Sequence, residues 1–191
     1  MNTEFFDALE AREPAAREAS LLAALPAQIA HAQSSSPAYT ELLVGVDAAA
    51  ITSRTALAAL PLTRKSSLAA AQAARRALRL GGFAAGMPRR LFQSPGPLYE
   101  PEPDADALDP WRIARALHAA GIRAGQLAHV GFSYHLTPAG AMMEGGLRAI
   151  GAASFPGGVG NTEQQLQAVL DLRPEAYAGT PSLLRILLDK A

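Results

Sequence analysis

Three stretches of this 191-residue chain carry residue types that could do chemistry. Gln93-Ser94-Pro95-Gly96-Pro97-Leu98-Tyr99-Glu100-Pro101 could present backbone N–H groups of a Ser/Gly loop to a phosphate. Its two central prolines remove two of those donors, and no lysine follows, so it is not a Walker loop and a rigid turn-rich linker fits it better. Gly157-Gly158-Val159-Gly160 lies between a predicted strand and a predicted helix, the context of a phosphate-binding turn. A dinucleotide fingerprint needs a third glycine where Glu163 stands, and a carboxylate there repels pyrophosphate, which argues against a nicotinamide enzyme. A ligand-lining turn and a merely structural turn both remain open. Gly131-Phe132-Ser133-Tyr134-His135 nearly matches a hydrolase nucleophile elbow. His135 replaces the last glycine and no later histidine completes the order Ser, acid, His, so a serine hydrolase is not expected. Phe132, Tyr134 and Leu136 alternate and are expected to form one apolar wall. His135 reads more readily as a hydrogen-bonded structural histidine than as a base. Glu144, inside a predicted helix near this edge, is a weaker ligand-contact candidate.

Other chemistries are narrowed by composition. The chain has no cysteine, so disulfides, thiolate zinc sites and cysteine nucleophiles are excluded. His31, His118, His129 and His135 are scattered, with no metal-ligand pair at helical spacing. Seventeen basic and seventeen acidic residues cancel, which argues against a general affinity for nucleic acid or anionic membrane. Arg75, Arg76 and Arg79 read as a solvated helix face. Residues Met1 to Arg12 carry Glu4, Asp7 and Glu10 and lack the basic head and apolar run of a signal peptide. No stretch approaches the roughly 20 apolar residues of a membrane span, and the cytoplasm is the expected location.

These stretches must be held by elements that the hydrophobic pattern outlines. Residues 1–80 read as a helical region: Leu9, Leu21, Leu22, Leu25 and Ile29 recur at helical spacing, and Pro14 and Pro26 punctuate them. Thr63 is placed to cap a helix starting at residues 64–67. A Pro/Gly-rich linker is expected over 81–110, with Asp104, Asp106 and Asp109 adding turn propensity. From 111 onward, helices alternate with short apolar strands. Helices are expected at 111–120, 138–151, 163–172 and from Pro181. Strands are expected at 126–132, 152–155 and 175–178. Such alternation implies an α/β unit with a parallel βαβαβ sheet and right-handed crossovers. Asp109-Pro110, Thr137-Pro138 and Thr180-Pro181 each place a capping side chain before a proline, and Thr162-Glu163-Gln164-Gln165 fits a capping box. Helix N-termini gathered at the carboxyl ends of parallel strands suit carboxylates and phosphates.

Four of these segments, in order and in register, resemble the phenylacetate–coenzyme A ligases of the adenylate-forming superfamily. Leu60-Pro61-Leu62-Thr63-Arg64-Lys65 is similar to that family's LP-x-T-x-K segment. Residues Phe132 to Gly140 resemble its aromatic YGYGLFTGG-like stretch. Pro156 to Gln165 resemble GG-x-T-E-x-Q, and Gly179-Thr180-Pro181-Ser182 resembles the TPS turn. The resemblance implies a helical N-terminal region followed by a Rossmann-like sheet, part of the large domain of such an enzyme. It implies ATP and Mg2+, coenzyme A as co-substrate, and a carboxylic acid activated as an acyl-adenylate. It assigns Phe132, Tyr134, His135, Leu136, Thr137, Gly140 and Thr180 to the acyl or aryl pocket. It assigns Ser94, Gly96, Gly157, Gly158, Thr162 and Glu163 to the nucleotide and phosphate side. Two departures stand out. The family's SSGTTGKP loop, with its lysine, is replaced here by Gln93 to Pro101, which removes a charge that would meet the leaving phosphates. The chain also stops at Ala191 inside a predicted helix, before the family's adenine and ribose contacts and its mobile C-terminal domain. The isolated chain is therefore expected not to turn over, and a homodimer or partner is expected to cover exposed sheet surface. A non-catalytic binding or scaffold module derived from the same fold is the alternative.

Overall fold

The computed structural model describes residues 4–84, 88–103 and 106–191. The chain divides into two compact units, one of residues Ala11–Pro101 and one of Met1–Glu10 with Glu102–Ala191.

The first unit is mainly helical. Its longest element, α1 (Pro14–Ser35), opens with Pro14 at the first helical turn, where a missing N–H costs nothing. Pro26, which punctuates the leucine spacing in the sequence, lies inside α1. Ser36 ends α1 and caps α2 (Pro37–Leu42): its Oγ accepts from the Tyr39 N–H at 3.4 Å and donates to the Gly82 carbonyl at 2.8 Å. Asp47 caps a single 3-10 turn over 48–50, and Ser53 caps α3 (Arg54–Ala58) through the Ala56 N–H at 3.1 Å. In α4 (Lys65–Ala74) the cap position falls on Arg64 with no side-chain bond, so Thr63 sits one residue too early to cap. Part of the expected linker is ordered as an antiparallel hairpin, β1 (Leu91–Ser94) and β2 (Leu98–Pro101), with Ser94 opposite Leu98. Pro95 and Pro97 fall in its turn, where no ladder donor is needed, while Phe92 and Leu98 are buried. Gln72 of α4 pins β2 by bonding both main-chain groups of Tyr99, its Nε2 donating to the carbonyl at 2.7 Å and its Oε1 accepting from the N–H at 2.9 Å. Asp104 of the expected linker lies outside the described residues.

The second unit is the α/β sheet that the alternation predicts. It comprises α5 (Ala114–Ala119), β3 (Leu127–Gly131), α6 (Ala139–Ile150), β4 (Ala153–Phe155), α7 (Thr162–Leu172), β5 (Ala176–Gly179) and α8 (Pro181–Lys190). The three strands are parallel, in the order β4-β3-β5. A core of Leu117, Ile122, Ala128, Val130 and Leu147 lies between the sheet and the helices. Val130 and Leu147 are fully buried, each burial contributing about 1.5–3 kcal/mol. At the N-terminus of this unit, Asp7 meets Arg115 of α5 at 2.7 Å and Phe6 stacks obliquely on His118.

The helix starts depart from the sequence reading in instructive ways. Asp109 does not hold the cap position of α5, which Ile113 takes, but its carboxylate accepts from the N–H groups of Ile113 and Ala114 at 2.9 and 2.8 Å, and the helix begins three residues after Trp111. Thr137 is not a cap, because Pro138 itself occupies the cap position with helical dihedrals. Thr162 is not a cap either: Asn161, in a left-handed conformation, precedes α7 without a side-chain bond, and Thr162 is already helical. Thr180 behaves as expected, its Oγ1 accepting from the Leu183 N–H at 3.3 Å with Pro181 first in α8.

Candidate functional site

Parallel strands deliver their carboxyl ends to one edge. There Gly131 of β3 pairs with Gly179 of β5, and the turn after β4 joins the same edge through the Gly158 N–H, which donates to the Val130 carbonyl at 2.9 Å. The segments that follow are the chain's candidate site: residues 132–138 after β3, 156–161 after β4 and Thr180 after β5. The N-termini of α6, α7 and α8 begin here, giving the edge main-chain donors and positive dipole ends.

Tyr134 is the centre of this edge. Its ring lies against Gly140 at the start of α6, where a Cβ would come within 2.7 Å of it, and near Gly158, where a Cβ would lie 3.9 Å away. Only glycine at position 140 leaves room for the ring. The Tyr134 hydroxyl oxygen is buried and has no hydrogen-bond partner among the described residues. Burial, with a smaller contribution from Glu144, pushes its pKa up to about 12. At ordinary pH it is a neutral donor and acceptor. Glu144 itself is exposed on α6.

The expected apolar wall is only partly present. Phe132 and Tyr134 pack against the core, whereas Leu136 is 70% exposed with a φ of 62°. Beyond Gly131 the chain has left the sheet, so strand alternation no longer sets side-chain direction. His135 is exposed and Thr137 half-buried, its N–H donating to the His135 carbonyl at 2.7 Å. Ser133 is turned inward on its own backbone. Its Oγ donates to the His135 carbonyl at 3.0 Å and accepts from the His135 N–H at 3.1 Å, a local turn rather than a nucleophile–base pair.

On the other side of Tyr134, Gly157 and Gly158 form the turn after β4. Thr162 and Glu163 open α7 and line a notch of about 300 Å³ with Asn161, Gln164 and Lys190. Lys190 Nζ lies 3.8 Å from Glu163, which offsets the carboxylate that otherwise disfavours phosphate there. Ser94 and Gly96 belong to the helical unit. Ser94 Oγ donates to Glu100 at 2.8 Å, placing a carboxylate beside the residue expected to meet phosphate. Gly96 faces a groove of about 910 Å³ between α4 and the hairpin tip, lined also by Lys65, Arg76 and Tyr99.

Two buried residues at this edge were named in the sequence reading but given no part in the site. His129 and Gln165 are 2% and 3% exposed and bond to each other at 2.8 Å. Burial holds the His129 imidazole below the usual histidine range, opposed by its hydrogen bond to Gln165. The available signal was His129 itself: a lone histidine in the apolar run Leu127 to Gly131 requires a partner inside the core.

No family model matches the chain. It is 37% identical over 78 residues to the phenylacetate–coenzyme A ligase of Thermus thermophilus, a match covering 41% of this chain and 18% of that protein. It is 33% identical over 85 residues to the phenylacetate–coenzyme A ligase of Aromatoleum evansii, covering 44% of this chain and 19% of that protein. The fold matches 2-hydroxyisobutyryl-CoA ligase, solved in an open conformation with 2-HIB-AMP and CoA, with a TM-score of 0.81 at 24% identity. That match covers 92% of this chain and 40% of the ligase, so the chain spans about two fifths of its length. Over about two fifths of its length the chain is similar in sequence to phenylacetate–coenzyme A ligases, and its fold is that of part of 2-hydroxyisobutyryl-CoA ligase.

Proposed function

We propose that this chain is the acid- and phosphate-side N-terminal portion of an AMP-forming aryl- or acyl-coenzyme A ligase. In that reaction a carboxylate oxygen of the acid attacks the α-phosphorus of ATP. The new O–P bond forms as the bond to the β-phosphate oxygen breaks and pyrophosphate leaves. The thiol sulfur of coenzyme A then attacks the acyl carbon, AMP departs, and the thiol proton is lost to solvent. The observation that carries the reading is the convergence at one sheet edge of three helix N-termini, a glycine turn and the unpartnered Tyr134 hydroxyl. In this reading Phe132, Tyr134, Gly140 and Thr180 hold the organic acid, and Gly157, Gly158, Thr162 and Glu163 lie on the nucleotide side. His135, Leu136 and Thr137 form the outer rim of the acid pocket. Ser94 and Gly96 are remnants of a phosphate loop.

Among the described residues no group of three His, Asp or Glu stands together as a metal site; Mg2+ would enter bound to the ATP phosphates, where it would supply charge neutralisation. Nor is any helix of the described residues long and apolar enough to cross a membrane. The whole protein would work in the cytoplasm on small molecules rather than on nucleic acid or membrane, with a homodimer covering apolar surface. Alone, the 191-residue chain binds but does not turn over.

The lysine-free hairpin tip and the Ser94–Glu100 bond favour a second reading, a ligand-binding module of the same fold without adenylation. Calorimetry of the chain with phenylacetate, AMP, ATP and coenzyme A, alongside a pyrophosphate assay, separates the two. The ligase reading expects phenylacetate to bind, and AMP to bind through its phosphate alone, without pyrophosphate release. The module reading expects the acid to bind and the nucleotides not to. If none binds, both fall.

A further inference from the structure

The turn over residues 157–161 is held from beneath by the two buried residues that the proposed reaction leaves unused. Gln165 projects from α7 under the turn, and its Nε2 donates to the Gly158 carbonyl at 3.3 Å and to the Gly160 carbonyl at 2.6 Å. With its nitrogen so committed, the amide oxygen faces His129 Nε2 at 2.8 Å, and the imidazole must carry its proton there. The sheet fixes the imidazole in turn. His129 sits in the central strand, flanked by the rings of Phe155 on β4 and Tyr177 on β5, each at 5.6 Å between centroids. Gly157 closes over the pair: a Cβ there would overlap His129 Nε2 and come within 2.7 Å of Gln165 Oε1.

This arrangement has a directional consequence. A trans peptide sets its N–H opposite its C=O. Two carbonyls drawn inward to Gln165 therefore turn the next N–H groups, those of Val159 and Asn161, away from the core. Apolar residues at 129 and 165 could fill the same space, since burying a polar pair brings little net stability. The polar pair adds a fixed orientation of the turn.

We infer that His129 and Gln165 are positioning residues: through the amide of Gln165 they hold the 157–161 turn so that its main-chain donors face an anionic group of the ligand at the sheet edge. The inference rests on the ligase reading for the ligand and on the hydrogen bonds alone for the turn.

Hydrogen exchange and AMP binding, measured on the 191-residue chain, test the two parts separately. In Gln165→Leu and His129→Phe the Gly158 amide should exchange about tenfold faster, the scale of one lost buried hydrogen bond, while amides of α5 and β5 keep their protection. AMP affinity should fall by about tenfold in both variants for the same reason. His129→Gln, whose Nε2 reaches the same position with a donor, should restore both. Unchanged Gly158 exchange in Gln165→Leu overturns the inference. So does equal loss of protection throughout the α/β unit without rescue by His129→Gln, and so does a loosened turn with unchanged AMP affinity. If the unaltered chain binds no AMP, the ligase reading fails on its own account. The Gly158 exchange rates then still decide whether the pair holds the turn.

Discussion

Tyr134 buries a hydroxyl that none of the described residues satisfies, and such a group costs free energy. Replacing it by phenylalanine removes the cost without changing the ring against Gly140. Tyr134→Phe is expected to leave stability unchanged or raise it by up to about 1 kcal/mol in urea unfolding. The same change should weaken phenylacetate binding by roughly tenfold if the hydroxyl meets the acid. A clear loss of stability would show that the hydroxyl already has a partner. His129 gives a pH signature of defined sign. Its folded pKa lies below the ordinary value of 6.5, so the unfolded chain takes up the proton first. Its stabilising contribution is full above that value and declines as pH falls below it. Urea midpoints should therefore drop between about pH 7 and pH 5 in the native sequence and less in His129→Gln. Asp7 and Glu175 have depressed carboxyls, Asp7 chiefly through its hydrogen bond to Arg115 and Glu175 chiefly through the Leu127 N–H, and they act only at more acidic pH. Tyr134 could be read from the sequence because an aromatic after an apolar strand stands out. Gln165 closes a motif visible in the sequence, but its role could not be read, because the same Thr-Glu-Gln-Gln string fits a helix cap.

At the scale of elements, the strands and helices of the α/β unit were legible to within a few residues because strand and helix periods differ and glycine or proline bounds each segment. The caps were less legible. Thr180 and Thr162 look alike in sequence, yet only Thr180 bonds an orphan N–H, since Asn161 takes the cap position before α7. Thr180→Ala should cost about 1 kcal/mol of stability, and Thr162→Ala less than about 0.5 kcal/mol. Equal costs in denaturant unfolding would contradict the assignment. The 91–101 hairpin was hidden because its prolines read as a linker. Pro95 and Pro97 fall in the turn, while Phe92 and Leu98 supply an apolar face too short to register as a strand pattern.

For the molecule as a whole, net neutrality and the absence of cysteine narrowed the chemistry, and the resemblance supplied the reaction. The structure adds which of the named residues share a surface: Tyr134, Gly158 and Thr180 do, at the carboxyl edge of β4-β3-β5, whereas Ser94 and Gly96 belong to the other unit. The central claim is that this edge receives the acid and the nucleotide. Amide chemical-shift mapping of the 191-residue chain with phenylacetate and AMP tests it directly. The expected result is saturable shifts confined to residues 132–140, 157–163 and 180–183. Shifts that instead cluster on α4 and the hairpin tip, or no shifts with either compound, would contradict it.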